Sequence, residues 1–299
     1  MNSFLKIDDL TKPQVLKVFQ TAFDLKNNSL RESSLSNKHF ALLFEKPSLR
    51  TRASFSVGIE KLGGIAHFYD MQNEKMGIRE SVSDLGKNTE CWYQGIIARV
   101  DSHSTLVQLA NSVTIPVINA LCDQHHPCQA LADFFTLYER AKNFNDWHIA
   151  YLGDGNNVAR SLVDLAAKVG ATITVASPEC AQLDNDYLKS AQSVSEGKVN
   201  WTSDPQSLSK IDVVYTDTWT SMGDEQSKST LKALQNYQVN SNLMAKTGAK
   251  FFMHCQPAHR GTEVTSEVCD SNFSLMLAQA TNRMFVQQAL LHLIYSEAL

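Results

Sequence analysis

The sequence lacks an excess of basic residues and a long apolar run, and we expect it to have no targeting segment. Lysine and arginine number 27 against 31 aspartate and glutamate residues, giving a formal net charge of -4. This balance offers no electrostatic footprint for a nucleic-acid backbone. A membrane helix would need a run of about 18 apolar residues, which the chain does not have, and Asp8 and Asp9 interrupt the N-terminal region where a secretory signal would be apolar. We therefore expect a cytoplasmic protein that acts on a small molecule and binds neither nucleic acid nor membrane.

Paired cysteine motifs are also absent. The chain has six cysteines but no Cys-x-x-Cys pair and no His-x-x-x-His that would complete a tetrahedral zinc site. Scattered cysteines in a reducing compartment are free thiols that behave as small apolar side chains. We predict no disulfide and no metal site.

The chain does have the length and composition of a globular protein with two domains. Hydrophobic residues make up 43% and charged residues 19% of its 299 residues. Short β-rich apolar runs alternate with segments of helical period, which predicts parallel sheets covered by helices. The predicted strands cover residues 39–44, 65–69, 95–100, 115–119, 149–153, 172–176, 213–216 and 250–254. The predicted fold is therefore α/β, with two doubly wound parallel-sheet domains joined by interdomain helices.

Two of the predicted helices lie where the domains would be joined. Leu131, Phe134, Phe135 and Tyr138 repeat at helical spacing, and Pro127 suits the first helical position. This pattern predicts a bridging helix over residues 127–142. A second helical period covers 278–299, and we expect it to pack against the first domain.

The segment after the first predicted strand is a candidate phosphate site. Ligands bind outside the carboxyl ends of the strands in open α/β sheets. Residues 45–52 read Glu-Lys-Pro-Ser-Leu-Arg-Thr-Arg and lead into a helix that Ser48 is placed to cap. Unpaired N–H groups at a helix N-terminus, two hydroxyls and two guanidiniums suit an anion. The alternative is an ordinary capped helix with solvated arginines.

Other polar residues follow strands of the first half. Arg99 lies inside an otherwise apolar run at 96–100, near the end of the predicted strand, where a buried guanidinium requires either an anionic ligand or a structural ion pair. His126 and Gln129 stand at the start of the bridging helix. An imidazole and an amide in such a place can polarise and orient a carbonyl compound.

Three segments of the second half carry candidate residues. Residues 153–157 read Gly-Asp-Gly-Asn-Asn, but Val158 stands where a dinucleotide-binding turn has its third glycine, so the asparagines favour a polar substrate instead. Residues 217–223 read Asp-Thr-Trp-Thr-Ser-Met-Gly, and Asp217 suits either an ammonium group or a helix cap. Residues 254–261 begin His-Cys-Gln-Pro, in which Gln256 and Pro257 form a candidate cis peptide.

In this order, the segments resemble the carbamoyltransferases, and within them the ornithine carbamoyltransferases, over nearly the whole chain from residue 44 onward. Residues 48–52 resemble the family's Ser-Thr-Arg-Thr-Arg phosphate loop. Residues 126–129 resemble its His-Pro-x-Gln motif, and residues 254–257 its His-Cys-Leu-Pro motif. The 217–223 loop is similar to the ornithine-binding Asp-x-x-x-Ser-Met-Gly loop, which aspartate carbamoyltransferases lack.

The resemblance implies a reaction of carbamoyl phosphate with L-ornithine that gives L-citrulline and phosphate and needs no cofactor. Carried over position by position, it implies carbamoyl phosphate binding by Ser48, Leu49, Arg50, Thr51, Lys75, Arg99, His126, Gln129, Cys255, Gln256 and Arg283. It implies ornithine binding by Asn157, Asp217, Ser221 and Met222. The implied catalytic groups are Arg99, His126, Cys255 and Arg283, with Cys255 as proton acceptor.

The resemblance also implies how the chain is divided and assembled. Residues 1–126 with the helix 284–299 would bind carbamoyl phosphate, and residues 127–283, beginning with the bridging helix, would bind ornithine. The implied assembly is a homotrimer or a multiple of trimers with active sites shared between subunits.

Some positions depart from the family pattern and leave alternatives open. Leu49 replaces Thr, Gln256 replaces Leu, Thr281 replaces Glu, Leu85 replaces Thr, and Lys75 stands where Gln is frequent. The alternatives are a carbamoyltransferase for another amine, such as acylornithine, putrescine or lysine, a non-catalytic relative, and a nicotinamide-dependent oxidoreductase built on residues 153–157. The sequence does not distinguish citrulline synthesis from its catabolic reversal.

Overall fold

A computed structural model describes residues 3–30, 33–220 and 227–299 of the chain. The nine strands in these ranges are β1 (His39–Phe44), β2 (Ile65–Asp70), β3 (Gly95–Arg99), β4 (Val117–Leu121), β5 (His148–Leu152), β6 (Thr172–Ala176), β7 (Val199–Thr202), β8 (Val213–Thr216) and β9 (Phe251–Met253). The α-helices in the same ranges are α1 (Lys12–Lys26), α2 (Leu49–Lys61), α3 (Val82–Glu90), α4 (His103–Ser112), α5 (Pro127–Tyr138), α6 (Asn157–Val169), α7 (Asn185–Val194), α8 (Lys228–Leu234), α9 (Ser241–Thr247), α10 (Ser266–Cys269) and α11 (Met276–Tyr295). Within the described ranges, no helix is both long and apolar enough to cross a membrane.

The chain divides into two compact units. One comprises Met1–Phe135 and Thr281–Leu299, and the other comprises Thr136–Ala280. The boundaries fall within α5 and α11, so these two helices connect the units along the chain.

The first unit contains a parallel sheet in the order β2-β1-β3-β4. The central strand β1 is buried from Phe40 to Phe44, whereas the edge strand β2 is partly exposed along its length. A continuous apolar run of this kind is typical of a parallel strand covered on both faces. The core beside it includes Ile96, Leu106 and Val117.

The second unit contains a parallel sheet in the order β7-β6-β5-β8-β9. Helix α6 of this unit begins at a strong cap, because the Asn156 side chain accepts hydrogen bonds from the N–H groups of Val158 and Ala159. The same helix ends at Gly170, whose φ of 95° is the left-handed conformation that glycine adopts without strain.

The two parallel sheets confirm the predicted α/β class. Strands β1, β6 and β8 have the predicted bounds, and β2, β3, β5 and β9 differ by no more than one residue at each end. Strand β4 covers Val117–Leu121 rather than 115–119, and it begins after Pro116 because proline has no N–H to donate to a strand ladder. The bridging helix begins at Pro127 as predicted but ends at Tyr138 rather than 142. The sequence prediction missed β7, a four-residue edge strand.

Candidate active site

The strand orders identify one switch point in each sheet. In the first sheet the chain runs from β1 outward to β2 on one side and to β3 and β4 on the other. In the second it runs from β5 to β6 and β7 on one side and to β8 and β9 on the other. Ligands of such sheets bind beyond the carboxyl ends of the strands at these points. The residues after β1, β3, β5 and β8 are therefore the first candidates for a site.

The N-terminus of α2 follows β1 directly. Ser48 caps the helix as predicted, since its Oγ accepts a hydrogen bond from the Thr51 N–H at 3.2 Å. The first N–H groups of the helix have no acceptor within the helix and are available to an anion. Leu49 is 82% exposed, so its side chain lies in solvent, and Arg50 is also exposed. The guanidinium carbon of Arg52, in contrast, lies 3.9 Å from the centre of the Phe68 ring, so this side chain makes a cation–π contact with Phe68.

Two guanidiniums converge on the buried hydroxyl of Thr51. Arg283 Nη2 donates to Thr51 Oγ1 at 2.7 Å, and Arg99 Nη1 donates to the same oxygen at 3.3 Å. All three residues are buried, with 0% exposure at Thr51, 8% at Arg99 and 5% at Arg283. Two positive charges held beside a helix N-terminus make a strong electrostatic site for an anion.

His126 and Gln129 lie beside these guanidiniums. Arg283 Nη1 donates to Gln129 Oε1 at 3.0 Å, and Gln129 Nε2 donates to Asp133 Oδ1 at 2.8 Å, which fixes the orientation of the amide. Burial lowers the pKa of His126 well below its usual value, and the charges of Arg283 and Arg99 lower it further. The imidazole is therefore neutral at neutral pH, and its ring N–H can donate to a carbonyl oxygen.

Lys75 is held by an ion pair in the same unit. Its Nζ contacts Asp101 Oδ2, and Lys46 Nζ lies 3.5 Å from Asp101 Oδ1. Partial burial acts to raise the pKa of Asp101, but the Lys75 hydrogen bond and the charges of Lys46 and Lys75 outweigh it and lower that pKa. The hydrogen bond and charge of Asp101 raise the pKa of Lys75. Lys75 therefore remains a fixed cation on an exposed loop.

In the second unit, Asp217 is the centre of a hydrogen-bonded group at the end of β8. Cys255 Sγ donates to Asp217 Oδ1 at 2.9 Å, and Asn156 Nδ2 donates to Asp217 Oδ2 at 2.9 Å. The Tyr151 hydroxyl donates to Asn156 Oδ1 at 3.2 Å and to the Asp154 carbonyl at 2.9 Å. Burial, with the charge of Asp217 next, raises the pKa of Tyr151 well above its usual value. This phenol therefore stays a donor and fixes the amide that holds Asp217.

The remaining predicted ornithine ligands have separate positions. Asn157 is the first residue of α6 and is half-buried, one position after the asparagine that contacts Asp217. Ser221 and Met222 lie outside the described residues.

The segment after β9 is ordered by a buried acid–histidine pair. His254 Nδ1 accepts from the Gln256 N–H at 2.8 Å, so the ring proton is on Nε2, which lies 3.2 Å from Glu263 Oε1. Both His254 and Glu263 are fully buried. The peptide between Gln256 and Pro257 is cis, as predicted. These contacts fix the backbone on both sides of Cys255.

Three potential metal-ligand atoms lie within 4.8 Å of one another, one each from Asp217, His254 and Cys255. Both ring nitrogens of His254 are already engaged, one by Gln256 and one by Glu263. A metal ligand needs a free nitrogen lone pair. The arrangement therefore favours a hydrogen-bonded network over a metal centre.

The structure thus brings the predicted residues together in two groups. In the first unit, Thr51, Arg99, His126, Gln129 and Arg283 lie around the N-terminus of α2 that also carries Ser48, Leu49 and Arg50. In the second unit, Asp217 and Cys255 are in contact and Gln256 is adjacent. The sequence prediction connected both asparagines of residues 153–157 with a polar substrate but named only Asn157 as an ornithine ligand, although the place of Asn156 at the N-cap of α6 is a readable signal. It also gave no role to Asp133 or Glu263, whose contacts depend on burial.

Comparisons with known proteins assign the chain to a family. Residues 2–139 match the family model for the carbamoyl-P binding domain of aspartate/ornithine carbamoyltransferase, and residues 145–294 match that for its Asp/Orn binding domain. The chain is 48% identical to the ornithine carbamoyltransferase of Shewanella oneidensis, over 99% of this chain and 100% of that protein. Among solved structures, the ornithine carbamoyltransferase from Pyrococcus furiosus has a TM-score of 0.92 and 38% identity, covering 97% of this chain and 96% of that one. The enzyme from Thermus thermophilus has a TM-score of 0.88 and 36% identity, covering 97% of both chains.

Proposed function

The chain belongs to the aspartate/ornithine carbamoyltransferase family, and from this premise we propose that it transfers the carbamoyl group of carbamoyl phosphate to the δ-amine of L-ornithine. The products are L-citrulline and phosphate. The observation that carries this proposal is the convergence of Arg99 and Arg283 on Thr51 at the N-terminus of α2. It supplies the fixed positive charge that a phosphorylated substrate requires.

In this proposal the first unit binds carbamoyl phosphate. The phosphate accepts hydrogen bonds from the first N–H groups of α2, from the hydroxyls of Ser48 and Thr51, and from the guanidiniums of Arg50 and Arg99. Lys75 adds a further cation, which the resemblance assigns to the phosphate of a neighbouring subunit. The exposed side chain of Leu49 is consistent with a residue that contributes its main chain, because the replacement of the family's Thr then removes no contact.

The carbonyl group of carbamoyl phosphate is polarised by neutral and charged donors. His126 donates a ring N–H to the carbonyl oxygen, and Gln129 orients the carbamoyl group. As the tetrahedral intermediate forms, negative charge develops on this oxygen, and the buried guanidiniums of Arg99 and Arg283 stabilise it. Because these groups are already fixed by hydrogen bonds, little reorganisation is needed during the reaction.

The second unit binds ornithine and prepares its amine. The δ-amine resembles that of lysine, with a pKa of about 10.4 in solution, and must lose a proton before it attacks. Asp217 binds an ammonium group of ornithine, supported by Asn156, and Asn157, Ser221 and Met222 complete the contacts to ornithine. Cys255 accepts the departing proton as its own thiol proton passes to Asp217 Oδ1, the oxygen to which the thiol already donates. The amine then forms the new C–N bond, and phosphate leaves with the electrons of the broken C–O bond and takes up the second proton of the attacking nitrogen. The Gln256 carbonyl lies next to Cys255 along the chain and helps to orient the attacking nitrogen.

The proposal extends to the assembly and the cellular role. By resemblance to its family, the protein forms a homotrimer or a multiple of trimers and acts in the cytoplasm in arginine biosynthesis or in the reverse, catabolic direction. Light scattering at low protein concentration tests the assembly. A mass equal to one chain contradicts it.

The activity is tested by citrulline formation from carbamoyl phosphate and L-ornithine, with putrescine, N-acetylornithine, L-lysine and L-aspartate as parallel acceptors. Turnover that is selective for ornithine supports both halves of the proposal. Turnover with another amine retains the phosphate site and removes the assignment of Asp217 to ornithine. No turnover with any acceptor contradicts the proposed function.

A further inference from the structure

Glu45 joins three segments of the first unit through its carboxylate. It directly follows β1, and its own N–H donates to the Arg99 carbonyl at 2.8 Å. Its Oε1 accepts from the Met76 N–H at 2.8 Å, and its Oε2 accepts from the Asp101 N–H at 2.8 Å. The residue is 6% exposed, so both carboxylate oxygens are used by backbone donors in a buried setting.

Each of these three segments carries a residue of the proposed phosphate site. Ser48 and the N-terminus of α2 begin three positions after Glu45. Lys75 precedes Met76, and Arg99 lies two positions before Asp101. The Glu45 carboxylate therefore sets the spacing between the helix N-terminus, the loop that bears Lys75 and the strand end that bears Arg99.

Charge reinforces the same junction. Asp101 contacts Lys75 and lies 3.5 Å from Lys46, so two carboxylates and two ammonium groups from the three segments lie together. The charge of Glu45 also contributes to the raised pKa of Lys75. Buried carboxylates that accept backbone N–H groups are held in one geometry more firmly than exposed ion pairs.

We propose that Glu45 is a positioning residue of the carbamoyl phosphate site, acting through the backbone of Met76 and Asp101 and not by contact with substrate. The proposal rests on the proposed function, because it takes residues 48–51 and Arg99 as phosphate ligands of this subunit's site and Lys75 as a phosphate ligand of a neighbouring subunit's site. A misplacement of such ligands by about 1 Å can cost about a hundredfold in rate.

The test replaces the carboxylate by an amide. In Glu45→Gln one side-chain position becomes an NH2 group that faces a backbone N–H, so one of the two segments loses its acceptor. We expect the KM for carbamoyl phosphate to rise about ten- to a hundredfold, with the ornithine KM within about twofold. A carbamoyl phosphate KM within about twofold of wild type overturns the proposal.

Asp9→Asn is the matched control. Asp9 also accepts two backbone N–H groups in the first unit, from Leu5 at 2.6 Å and Lys6 at 3.0 Å, but it lies in the N-terminal segment before α1. Both N–H groups donate to Oδ2, so the asparagine oxygen can still accept them but without the negative charge. This variant should lose stability while the carbamoyl phosphate KM is unchanged. An equal rise of that KM in both variants shows a general effect of destabilisation and overturns the proposal.

A measurement on the wild-type chain covers the case in which Glu45→Gln does not fold. Hydrogen exchange of the Met76 and Asp101 amides is followed with and without inorganic phosphate. Slower exchange of both amides with phosphate supports the proposal, and unchanged exchange at phosphate concentrations that saturate binding overturns it. If phosphate slows the exchange of both amides but no citrulline forms, the proposed function fails while this inference stands, so the two failures can be told apart.

Discussion

Replacing Thr51 by valine tests the anion site most directly. The substitution keeps the shape of the side chain and removes Oγ1, the atom on which Arg283 and Arg99 converge. Thr51 is fully buried, so water cannot take the place of the lost acceptor without a rearrangement. The two guanidiniums then lose the contact that fixes them next to the N-terminus of α2.

The size of the effect follows from the two contacts. A hydrogen bond with a charged partner contributes about 1.5–3 kcal/mol. The Arg283 contact at 2.7 Å has full strength, and the Arg99 contact at 3.3 Å is weaker. We expect the free energy of unfolding to fall by about 2–4 kcal/mol without substrate. We expect the KM for carbamoyl phosphate to rise about ten- to a hundredfold, which corresponds to about 1.4–2.8 kcal/mol of binding.

The assay combines urea unfolding with initial rates of citrulline formation over a range of carbamoyl phosphate concentrations. Thr51→Ser is the control, because it keeps the hydroxyl and loses a methyl group. It should retain a carbamoyl phosphate KM within about threefold of wild type, since the hydrogen-bond acceptor is preserved. A valine variant with a wild-type KM, or a serine variant as impaired as the valine one, would refute the reasoning.

Three further substitutions test other parts of the structure. Asp217→Asn removes the negative charge and one of the contacts with Cys255 and Asn156. The ornithine KM should then rise about tenfold or more, while the carbamoyl phosphate KM stays within about twofold of wild type. Equal changes in the two KM values contradict the assignment of Asp217 to ornithine. The pKa of His126 in the folded chain lies below its unfolded value of about 6.5, so the unfolded chain binds the proton more readily and stability should be lost as pH falls below that value. Between pH 7 and pH 5, His126→Gln should therefore lose less free energy of unfolding than wild type. Equal losses in the variant and in wild type would contradict this expectation. Gln287 is 1% exposed, and neither polar atom of its side chain has a hydrogen-bond partner among the described residues. Gln287→Leu should therefore raise the free energy of unfolding by about 1–2 kcal/mol. A lower free energy of unfolding, measured by urea denaturation, would count against this expectation.

Most strands of the fold could be predicted because a parallel strand buried on both faces is a continuous apolar run. The His39–Phe44 strand, buried from Phe40 onward, is of this kind and has the predicted bounds. Strand β7 reads Val-Asn-Trp-Thr and has one buried residue, so neither its composition nor its length distinguishes it from a loop. It becomes a strand because β6 supplies its hydrogen-bond partners.

The candidate site was predictable to the extent that its residues follow strands or cap helices. Ser48 at the start of α2 and the cis peptide at Gln256 are local features and agree with the structure. Glu45 and Glu263 gave no sequence signal, since a carboxylate is recognised as an anchor only when its backbone donors are known. Met76 lies 31 positions from Glu45, and a spacing pattern does not reveal such a contact.

The sequence by itself determined the local conformations, the class of the fold and the order of the motifs. These depend on neighbouring residues, through apolar periodicity, helix capping and the fixed φ of proline. The tertiary structure alone decided which polar groups meet, since Arg283 reaches Thr51 across 232 positions and Asp217 meets Cys255 across 38. The physical reason is that strand order and burial bring distant segments together, and only there do fixed hydrogen bonds and nearby charges set the protonation state of His126.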